Sequence, residues 1–173
     1  MNLSRYFLAA AVVCLVILNA GDSSAQMNHD AHDGPAMNFH VIDDRLATGG
    51  HFIDDGLDRL AADGLEVVID LRDDPPKDQA DTLAAAGVRW VNIPVKWSDP
   101  KASDFDRFSA AMSEFSDRNV LVQCQANYRA SAMTYLYRVK VDEIPAAEAS
   151  EDLNAVWTPE GRWQEYIDSI LVD

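Results

Sequence analysis

Cysteine is scarce in this sequence, which has only Cys14 and Cys124 among its 173 residues. Cys14 lies inside an apolar run near the N-terminus, which we expect to be removed from the mature chain. A mature chain with Cys124 alone cannot form an internal disulfide bond. A lone cysteine in an exported protein is a reactive thiol or half of an intermolecular bridge, and the alternative is a buried side chain that acts as a small apolar residue.

Basic residues are also few. Lys and Arg together number 14 against 29 Asp and Glu, so the formal net charge is −15. Because nucleic acids and anionic membranes attract basic surfaces, this charge argues against both as partners. The same charge repels phosphorylated molecules at long range. Any anion site must therefore be local, built from an individual basic side chain and backbone N–H groups.

Only one long apolar run occurs, at residues 6–18, after Arg5 and before the small residues Ser23-Ser24-Ala25. The run is shorter than the roughly 20 residues that a transmembrane helix needs. This order predicts a signal peptide over residues 1–25, cleaved before Gln26, and a periplasmic or secreted protein without membrane association after cleavage. An uncleaved N-terminal anchor is the alternative.

Residues 26–38 are rich in polar and turn-forming side chains and predict a flexible leader. The remainder, residues 39–173, has the size of one domain. Three histidines, His29, His32 and His40, lie in or beside the leader, but their spacing matches no compact metal-binding motif. We therefore expect no metal site in this region. We also expect no cofactor and a monomer.

Short strands and helices alternate along residues 39–173. Apolar runs such as Val67-Val68-Ile69 suit strands that are buried on both faces, and apolar residues spaced by three and four suit amphipathic helices. This alternation predicts an α/β fold of three layers, in which a mostly parallel sheet of four to five strands has helices on both faces. The predicted strands are 39–42, 45–48, 65–71, 88–93 and 120–123, and predicted helices start near 54, 78, 103, 130, 144 and 163.

One stretch combines a strand, a cysteine and an arginine. An apolar run at residues 120–122 ends in Gln123, Cys124 follows directly, and Arg129 precedes a helical pattern. A cysteine between a buried strand and a helix N-terminus lies where backbone N–H groups are unpaired and the helix dipole is positive, which favours thiolates and bound anions. Arg129 adds a planar, permanent charge that suits phosphate or sulfate. The stretch therefore predicts a thiolate nucleophile in an anion-binding loop.

The order strand, Cys-x4-Arg, helix resembles the cysteine-dependent phosphatases of the protein-tyrosine and dual-specificity class, whose signature is His-Cys-x5-Arg-Ser/Thr. Here Gln123 replaces the histidine and, being neutral, cannot help to ionise the thiol; the gap is one residue shorter, and Ser131 lies two positions after Arg129. A four-residue gap also occurs in rhodanese-like sulfurtransferases and in bacterial phosphatase-like domains found beside β-lactamase-like hydrolases. The resemblance continues, in the same order, through Gly49-Gly50, Leu71-Arg72 and Gly87-Val88 to Ile93-Pro94.

The resemblance implies that Cys124 attacks phosphorus and forms a phosphocysteine, while Arg129 and the backbone amides of residues 125–129 hold the phosphate oxygens. Trp97-Ser98-Asp99-Pro100 looks like the Trp-Pro-Asp loop of tyrosine phosphatases, which makes Asp99 the predicted general acid. A turn aspartate before proline is the alternative for Asp99, and Asp104 and Asp106 are lesser candidates. The predicted substrate-binding residues are Gln125, Ala126, Asn127, Tyr128, Arg129 and Ser131.

Three side chains near this loop have expected roles of their own. Asn127 is expected to brace the loop through its side-chain amide. Ser131 either hydrogen-bonds the thiolate or serves the first turn of the following helix. Arg72 is expected to be solvated and paired with Asp73 or Asp74, and the alternative is that it adds charge to the site.

Three classes of function fit these features. The first is a phosphatase that acts on a phosphorylated small molecule or a phosphoprotein. The second is a rhodanese-like sulfurtransferase that carries a persulfide on Cys124, in which Asp99 has no role. The third is a non-catalytic module for anion binding or redox sensing.

Overall fold

The computed structural model describes residues 34–172, so the predicted signal peptide and most of the predicted leader lie outside the described residues. The described residues form a five-stranded sheet and six helices. The strands are β1 (His40–Val41), β2 (Leu46–Gly49), β3 (Val67–Asp70), β4 (Arg89–Asn92) and β5 (Val120–Gln123). The helices are α1 (Gly56–Ala62), α2 (Gln79–Ala85), α3 (Ala102–Glu114), α4 (Tyr128–Lys140), α5 (Ala146–Val156) and α6 (Arg162–Val172).

The strands are arranged in the order β1-β2-β5-β3-β4, and all neighbours are parallel except the β1–β2 hairpin. In the hairpin turn, the Asp43 carboxylate accepts hydrogen bonds from the backbone N–H groups of Arg45 and Leu46 at 2.8 and 2.9 Å. Strand β5 lies in the middle, between β2 and β3. Its carboxyl end therefore opens at the centre of the sheet edge, where α/β proteins place their sites.

Each face of the sheet is covered by helices, as the alternating pattern predicted. On one face, Ile69 and Val122 pack with apolar residues of α3, α4, α5 and α6. On the other face, Val68 and Leu121 pack with Leu60 of α1 and with Leu83 of α2. Successive strand residues point to opposite faces, so these buried runs fill two cores at once. The prediction of a three-layer α/β fold with a mostly parallel sheet is confirmed.

The folded domain begins earlier in the chain than its composition predicted. Ala36, in the segment predicted as leader, is 2% exposed and pairs with Phe52. The backbone N–H of Met37 donates to the carbonyl oxygen of His51 at 3.0 Å. A polar segment thus packs through backbone hydrogen bonds to the chain that follows β2, which side-chain composition does not reveal. No helix among residues 34–172 has the length and apolar character needed to cross a membrane.

Candidate active site

Cys124 is the first residue after β5, and its backbone N–H donates to the carbonyl oxygen of Gly49 at 3.0 Å. The residue is 2% exposed. Together with five other residues it lines a cavity of about 370 Å³ at the carboxyl edge of the sheet. The lining residues are Trp97, Cys124, Gln125, Ala126, Tyr128 and Arg129. Residues 124–129 are called the Cys loop below.

Gly50 lies against the Cys loop so closely that only glycine fits. A Cβ atom at this position would be 2.7 Å from the carbonyl oxygen of Gln125 and 3.0 Å from Cα of Ala126. The neighbouring His51 donates its backbone N–H to the same Gln125 carbonyl at 3.1 Å. Because a trans peptide unit points its C=O and N–H in opposite directions, this bond fixes the Ala126 N–H on the other side of the loop.

Asn127 braces the Cys loop, as expected. It is fully buried, with a left-handed backbone at φ 69°, and its amide nitrogen donates to the Asn38 carbonyl at 2.5 Å and to Thr48 Oγ1 at 3.0 Å. Asn38 returns a bond from its own amide to the carbonyl oxygen of Ala126 at 3.0 Å. The side chain of Asn127 is therefore turned towards the N-terminal segment, and its contribution to the site is to hold the loop in shape.

Gln123, which replaces the histidine of the signature, joins the Cys loop to a buried ion pair. Its Oε1 accepts hydrogen bonds from Arg72 Nη2 at 3.1 Å and from Gln79 Nε2 at 3.5 Å. Its Nε2 donates to the carbonyl oxygen of Gly50 at 3.0 Å. Because Gly50 touches the Cys loop, the hydrogen bond from Gln123 to Gly50 helps to hold the loop in place. Gln123 does this as a neutral side chain.

The expectation for Arg72 was wrong. Its side chain is 5% exposed and pairs with Asp70, which is fully buried, through Nε–Oδ1 and Nη2–Oδ2 distances of 2.9 and 2.7 Å. Residues two apart in an extended chain point the same way, so Arg72 meets Asp70 and not Asp73 or Asp74. Burial favours this bidentate geometry, because each charge inside a protein needs a partner.

Arg129 lies at the other end of the Cys loop, with its side chain 9% exposed. Its Nη1 donates to Asp73 Oδ1 at 2.8 Å and to the carbonyl oxygen of Val95 at 2.6 Å. The Arg129 guanidinium is the main cause that lowers the pKa of Asp73. Within the described part of the chain, Nε and Nη2 of Arg129 have no hydrogen-bond partner, which leaves three N–H groups for an anion.

Ser131 lies in the first turn of α4 and makes local contacts. Its hydroxyl donates to the carbonyl oxygen of Asn127 at 2.8 Å and accepts a hydrogen bond from Trp157 Nε1 at 3.1 Å. This geometry favours the structural alternative for Ser131, since the hydroxyl proton is used within the helix turn. The predicted contact of this hydroxyl with the thiolate stays a prediction.

Asp99 lies on the loop that follows β4, here called the β4 loop (residues 94–101). Its carboxylate is 2.6 Å from Lys101 Nζ, and its side chain is 54% exposed. Lys101 is the main cause that lowers the pKa of Asp99. The β4 loop contributes Trp97 to the cavity lining. The assignment of Asp99 as general acid stays a prediction, and the carboxylate is an ionised surface group in this arrangement.

The lesser candidates for the acid lie on α3. Asp104 is 6% exposed and accepts hydrogen bonds from the Lys101 backbone N–H at 2.9 Å and from Arg107 Nη2 at 2.6 Å. These bonds close the first turn of α3, where a carboxylate also faces the positive end of the helix dipole. Asp106 is exposed on the same helix.

Four aromatic residues, here called the aromatic cluster, pack together beside the cavity, and two of them line it. Ring centroids are 5.2 Å apart for Trp97 and Trp163, 5.7 Å for Trp97 and Trp157, and 4.9 Å for Tyr128 and Trp157. Trp163 Nε1 also donates to the Trp97 carbonyl oxygen at 3.1 Å. Trp97 and Tyr128 remain 46% and 37% exposed. The cluster attaches the C-terminal helices to the β4 loop and gives the cavity an apolar side.

Asp73 is the site residue that the sequence reasoning missed. It follows β3, and β3 is the direct neighbour of β5 in the sheet. The loops after two adjacent parallel strands meet at one sheet edge. Knowledge of the strand order would have identified Asp73, but the alternation of strands and helices along the sequence does not determine that order.

Comparisons with known proteins agree with this architecture. A family model described as a DSP-PTPase phosphatase fused to NAD+ kinase matches residues 29–166. A candidate phosphatase of the DUF442 type from Shewanella putrefaciens CN-32 is 31% identical, with a TM-score of 0.69 over 79% of this chain and 93% of that one. No curated protein sequence matches the chain.

Two more distant structures share the fold. Tk-PTP in its active form is 19% identical, with a TM-score of 0.64 over 78% of this chain and 95% of that one. PTPMT1 in complex with PI(5)P is 16% identical, with a TM-score of 0.63 over 76% of this chain and 93% of that one. The match of most of the sequence to one family confirms the predicted resemblance. The chain belongs to the family of dual-specificity-type phosphatase domains that is described as fused to NAD+ kinase.

Proposed function

We propose that this protein is a cysteine-dependent phosphatase, which hydrolyses a phosphate monoester through a phosphocysteine intermediate. The observation that carries the proposal is the shared cavity of Cys124 and Arg129, at the carboxyl end of the central strand and the start of α4. A thiol, a fixed guanidinium and free backbone amides at one helix start are what phosphoryl transfer to sulfur requires. Membership of a phosphatase family supports the same chemistry.

The roles follow from what each group contacts. Cys124, which lines the cavity, supplies the nucleophilic sulfur. The unused N–H groups of Arg129, the Ala126 amide and the first amides of α4 hold the phosphate oxygens, because helix starts bind anions. Gly50, Asn127 and Gln123 keep these donors in place before the substrate arrives. Such preorganised donors need no reorganisation when charge develops in the transition state.

The substrate is a phosphorylated small molecule or a phosphoprotein. The cavity of about 370 Å³ has room for one phosphate and part of its organic group, and typical small-molecule sites begin at roughly 300 Å³. The exposed rings of Trp97 and Tyr128 at its side favour an organic group with an apolar surface. With a formal net charge of −15, the attraction for phosphate comes from the cavity itself.

Hydrolysis of p-nitrophenyl phosphate and phosphotyrosine by the wild type and three variants tests the proposal. We expect Cys124→Ser to abolish turnover while inorganic phosphate still binds, and Arg129→Ala to weaken both binding and turnover, since its charge acts in both states. Asp81→Asn, an exposed site on α2, is the matched control and retains activity. Acid quenching followed by mass spectrometry should find phosphate attached to Cys124.

The same samples separate the other two functions. Transfer of sulfur from thiosulfate to cyanide, with a persulfide on Cys124, would replace the proposal with a sulfurtransferase. Inactivity in both assays, together with retained phosphate binding, would replace it with a non-catalytic anion-binding module. Sedimentation of the purified protein tests the expected monomer.

We also propose that the protein is exported. The support is the order of a charged residue, an apolar run and small residues at the N-terminus, all outside the described residues. Intact-mass measurement of protein from a bacterial host should give a chain that starts at Gln26, found in the periplasm or medium. A retained Met1 would contradict cleavage and favour the uncleaved anchor.

A further inference from the structure

Arg129 is held along one side by two bonds to the protein. Nη1 donates both to Asp73 Oδ1 at 2.8 Å and to the carbonyl oxygen of Val95 at 2.6 Å. The remaining N–H groups of the guanidinium have no partner among residues 34–172. A phosphate that uses these groups lies across a single planar guanidinium from the Asp73 carboxylate.

The topology explains why Asp73 reaches this place. Strand β3 ends at Asp70 and is hydrogen-bonded to β5, so the chain that leaves β3 passes directly beside the Cys loop. Strand β4, which precedes Asp99, lies one strand further from β5. Asp73 keeps 43% of its side chain exposed, so the carboxyl group can turn between Arg129 and a bound molecule and can exchange protons with solvent.

Two other candidate acids, Asp99 and Asp104, have partners elsewhere. Asp99 pairs with Lys101 Nζ at 2.6 Å on the surface. Asp104 is buried and closes the first turn of α3. Of the carboxylates in the described part of the chain, Asp73 is the one that hydrogen-bonds a cavity-lining residue of the Cys loop.

We propose that Asp73 is the general acid of the first chemical step and the general base of the second. The inference rests on the proposed phosphatase function. It assigns the role predicted for Asp99 to Asp73, which lies on the loop after β3.

A general acid must carry a proton when the substrate is bound, and substrate binding itself favours protonation of Asp73. In the free protein, Arg129 holds the pKa of Asp73 below its usual range, and Lys96 is the other cation that acts on it. A phosphate monoester brings a charge of about −1.5 to −2 at neutral pH and occupies Arg129. A like charge close by disfavours an ionised carboxylate, so the bound phosphate favours the protonated form of Asp73.

The two steps balance in atoms and charge. In the first, the Cys124 thiolate forms a bond to phosphorus while the bond from phosphorus to the ester oxygen breaks, and that oxygen receives the Asp73 proton. In the second, the Asp73 carboxylate takes a proton from water, whose oxygen bonds to phosphorus. The phosphorus–sulfur bond then breaks, and the thiolate and inorganic phosphate are restored.

The test compares a poor and a good leaving group, phenyl phosphate and 2,4-dinitrophenyl phosphate. We expect Asp73→Asn to lower kcat/KM for phenyl phosphate by about 10²–10⁴-fold, the usual contribution of a general acid. The loss with the dinitrophenyl ester should be below about tenfold, because that oxygen leaves without a proton. Asp74→Asn, an exposed neighbour, is the matched control and should leave both rates within about twofold.

Each other outcome has a definite meaning. Equal losses on both esters in Asp73→Asn, with weaker inhibition by inorganic phosphate, would show that Asp73 only positions Arg129 and would overturn the inference. If Asp99→Asn, and not Asp73→Asn, lowers kcat/KM more for phenyl phosphate than for the dinitrophenyl ester, Asp99 on the β4 loop is the general acid and the inference is overturned. A wild type that hydrolyses neither ester would overturn the proposed function itself, which is a different failure. Near-ultraviolet circular dichroism checks that the variants are folded.

Discussion

The Cys loop and the β4 loop meet at one cavity, but the protein holds them in different ways. The Cys loop is fixed by buried polar groups, including Gln123 and Asn127, whose partners lie in a distant part of the chain. The β4 loop is attached by the Trp97 ring in the aromatic cluster and by hydrogen bonds from Trp163 and Tyr166 to its backbone carbonyl oxygens, while its charged side chains face solvent. The core therefore fixes the proposed nucleophile and the proposed anion-binding groups, whereas the charged side chains of the β4 loop lie on the surface.

The largest expected effect comes from breaking the buried ion pair below the Cys loop. Arg72→Met removes the cation that pairs with Asp70, which is 0% exposed, and we expect a loss of about 3–5 kcal/mol in the free energy of unfolding. Urea denaturation measures it. Adding Asp70→Leu to this variant should recover part of the loss, because no buried charge remains. A loss below about 1 kcal/mol would contradict the burial of the pair.

Removing the brace of the Cys loop comes next. Asn127→Ala deletes two buried hydrogen bonds and puts alanine at φ 69°, which together should cost about 2–4 kcal/mol in the free energy of unfolding. Asn127→Gly is the matched variant, since glycine adopts this φ freely and loses the bonds alone. We expect glycine to recover about 1 kcal/mol of stability without restoring phosphatase activity. Equal stabilities would show that the backbone conformation carries no cost.

Overpacking at Gly50 should displace the Cys loop directly. Gly50→Ala puts a Cβ atom 2.7 Å from the Gln125 carbonyl oxygen, so we expect a stability loss of about 1–3 kcal/mol together with a large loss of activity. Gly87→Ala is the control, because its φ is +76° and nothing lies within 4 Å of the added methyl. That variant should lose roughly 1 kcal/mol of stability with unchanged activity. An active Gly50→Ala would mean that the loop tolerates the shift.

The smallest effect is expected on the β4 loop. Lys101→Ala removes the main cause that lowers the pKa of Asp99, so that pKa should rise towards its ordinary value, as carboxyl chemical shifts against pH would show. Arg162, a weaker cause, should give a smaller rise when replaced by alanine. We expect no change in the thermal midpoint, since exposed ion pairs contribute little to stability. A clear fall in Tm would mean that this loop is held by its charges after all.

The same contrast shows which parts of the site a sequence can reveal. The strand before Cys124 and the helix after Arg129 are local signals, an apolar run followed by helical spacing, and the structure has both elements. Pairing of Arg72 with Asp70 was also readable in principle, because residues two apart share one side of an extended chain. The prediction failed because Arg72 was treated as a loop residue.

Other features depend on three-dimensional neighbours that no local pattern encodes. Asp73 meets Arg129 only because β3 and β5 are adjacent, and alternation of elements does not determine strand order. The same holds for Asn38, whose polar surroundings resemble a disordered leader although its amide fixes the Cys loop. For Asp99, a motif resemblance supplied the role, and the structure shows a surface ion pair with Lys101.

The bonds that shape the Cys loop join residues far apart in the chain. Asn38 and Asn127 are 89 positions apart, and Gly50 and Gln123 are 73 apart. Such contacts close long segments of chain, which costs conformational entropy and slows folding. During synthesis, β2 can form its pairing with β5 only after the chain has been made as far as residue 123. The proposed active site is complete only when β5 has joined β2 and β3, so we expect no partial activity from a chain that is cut before β5.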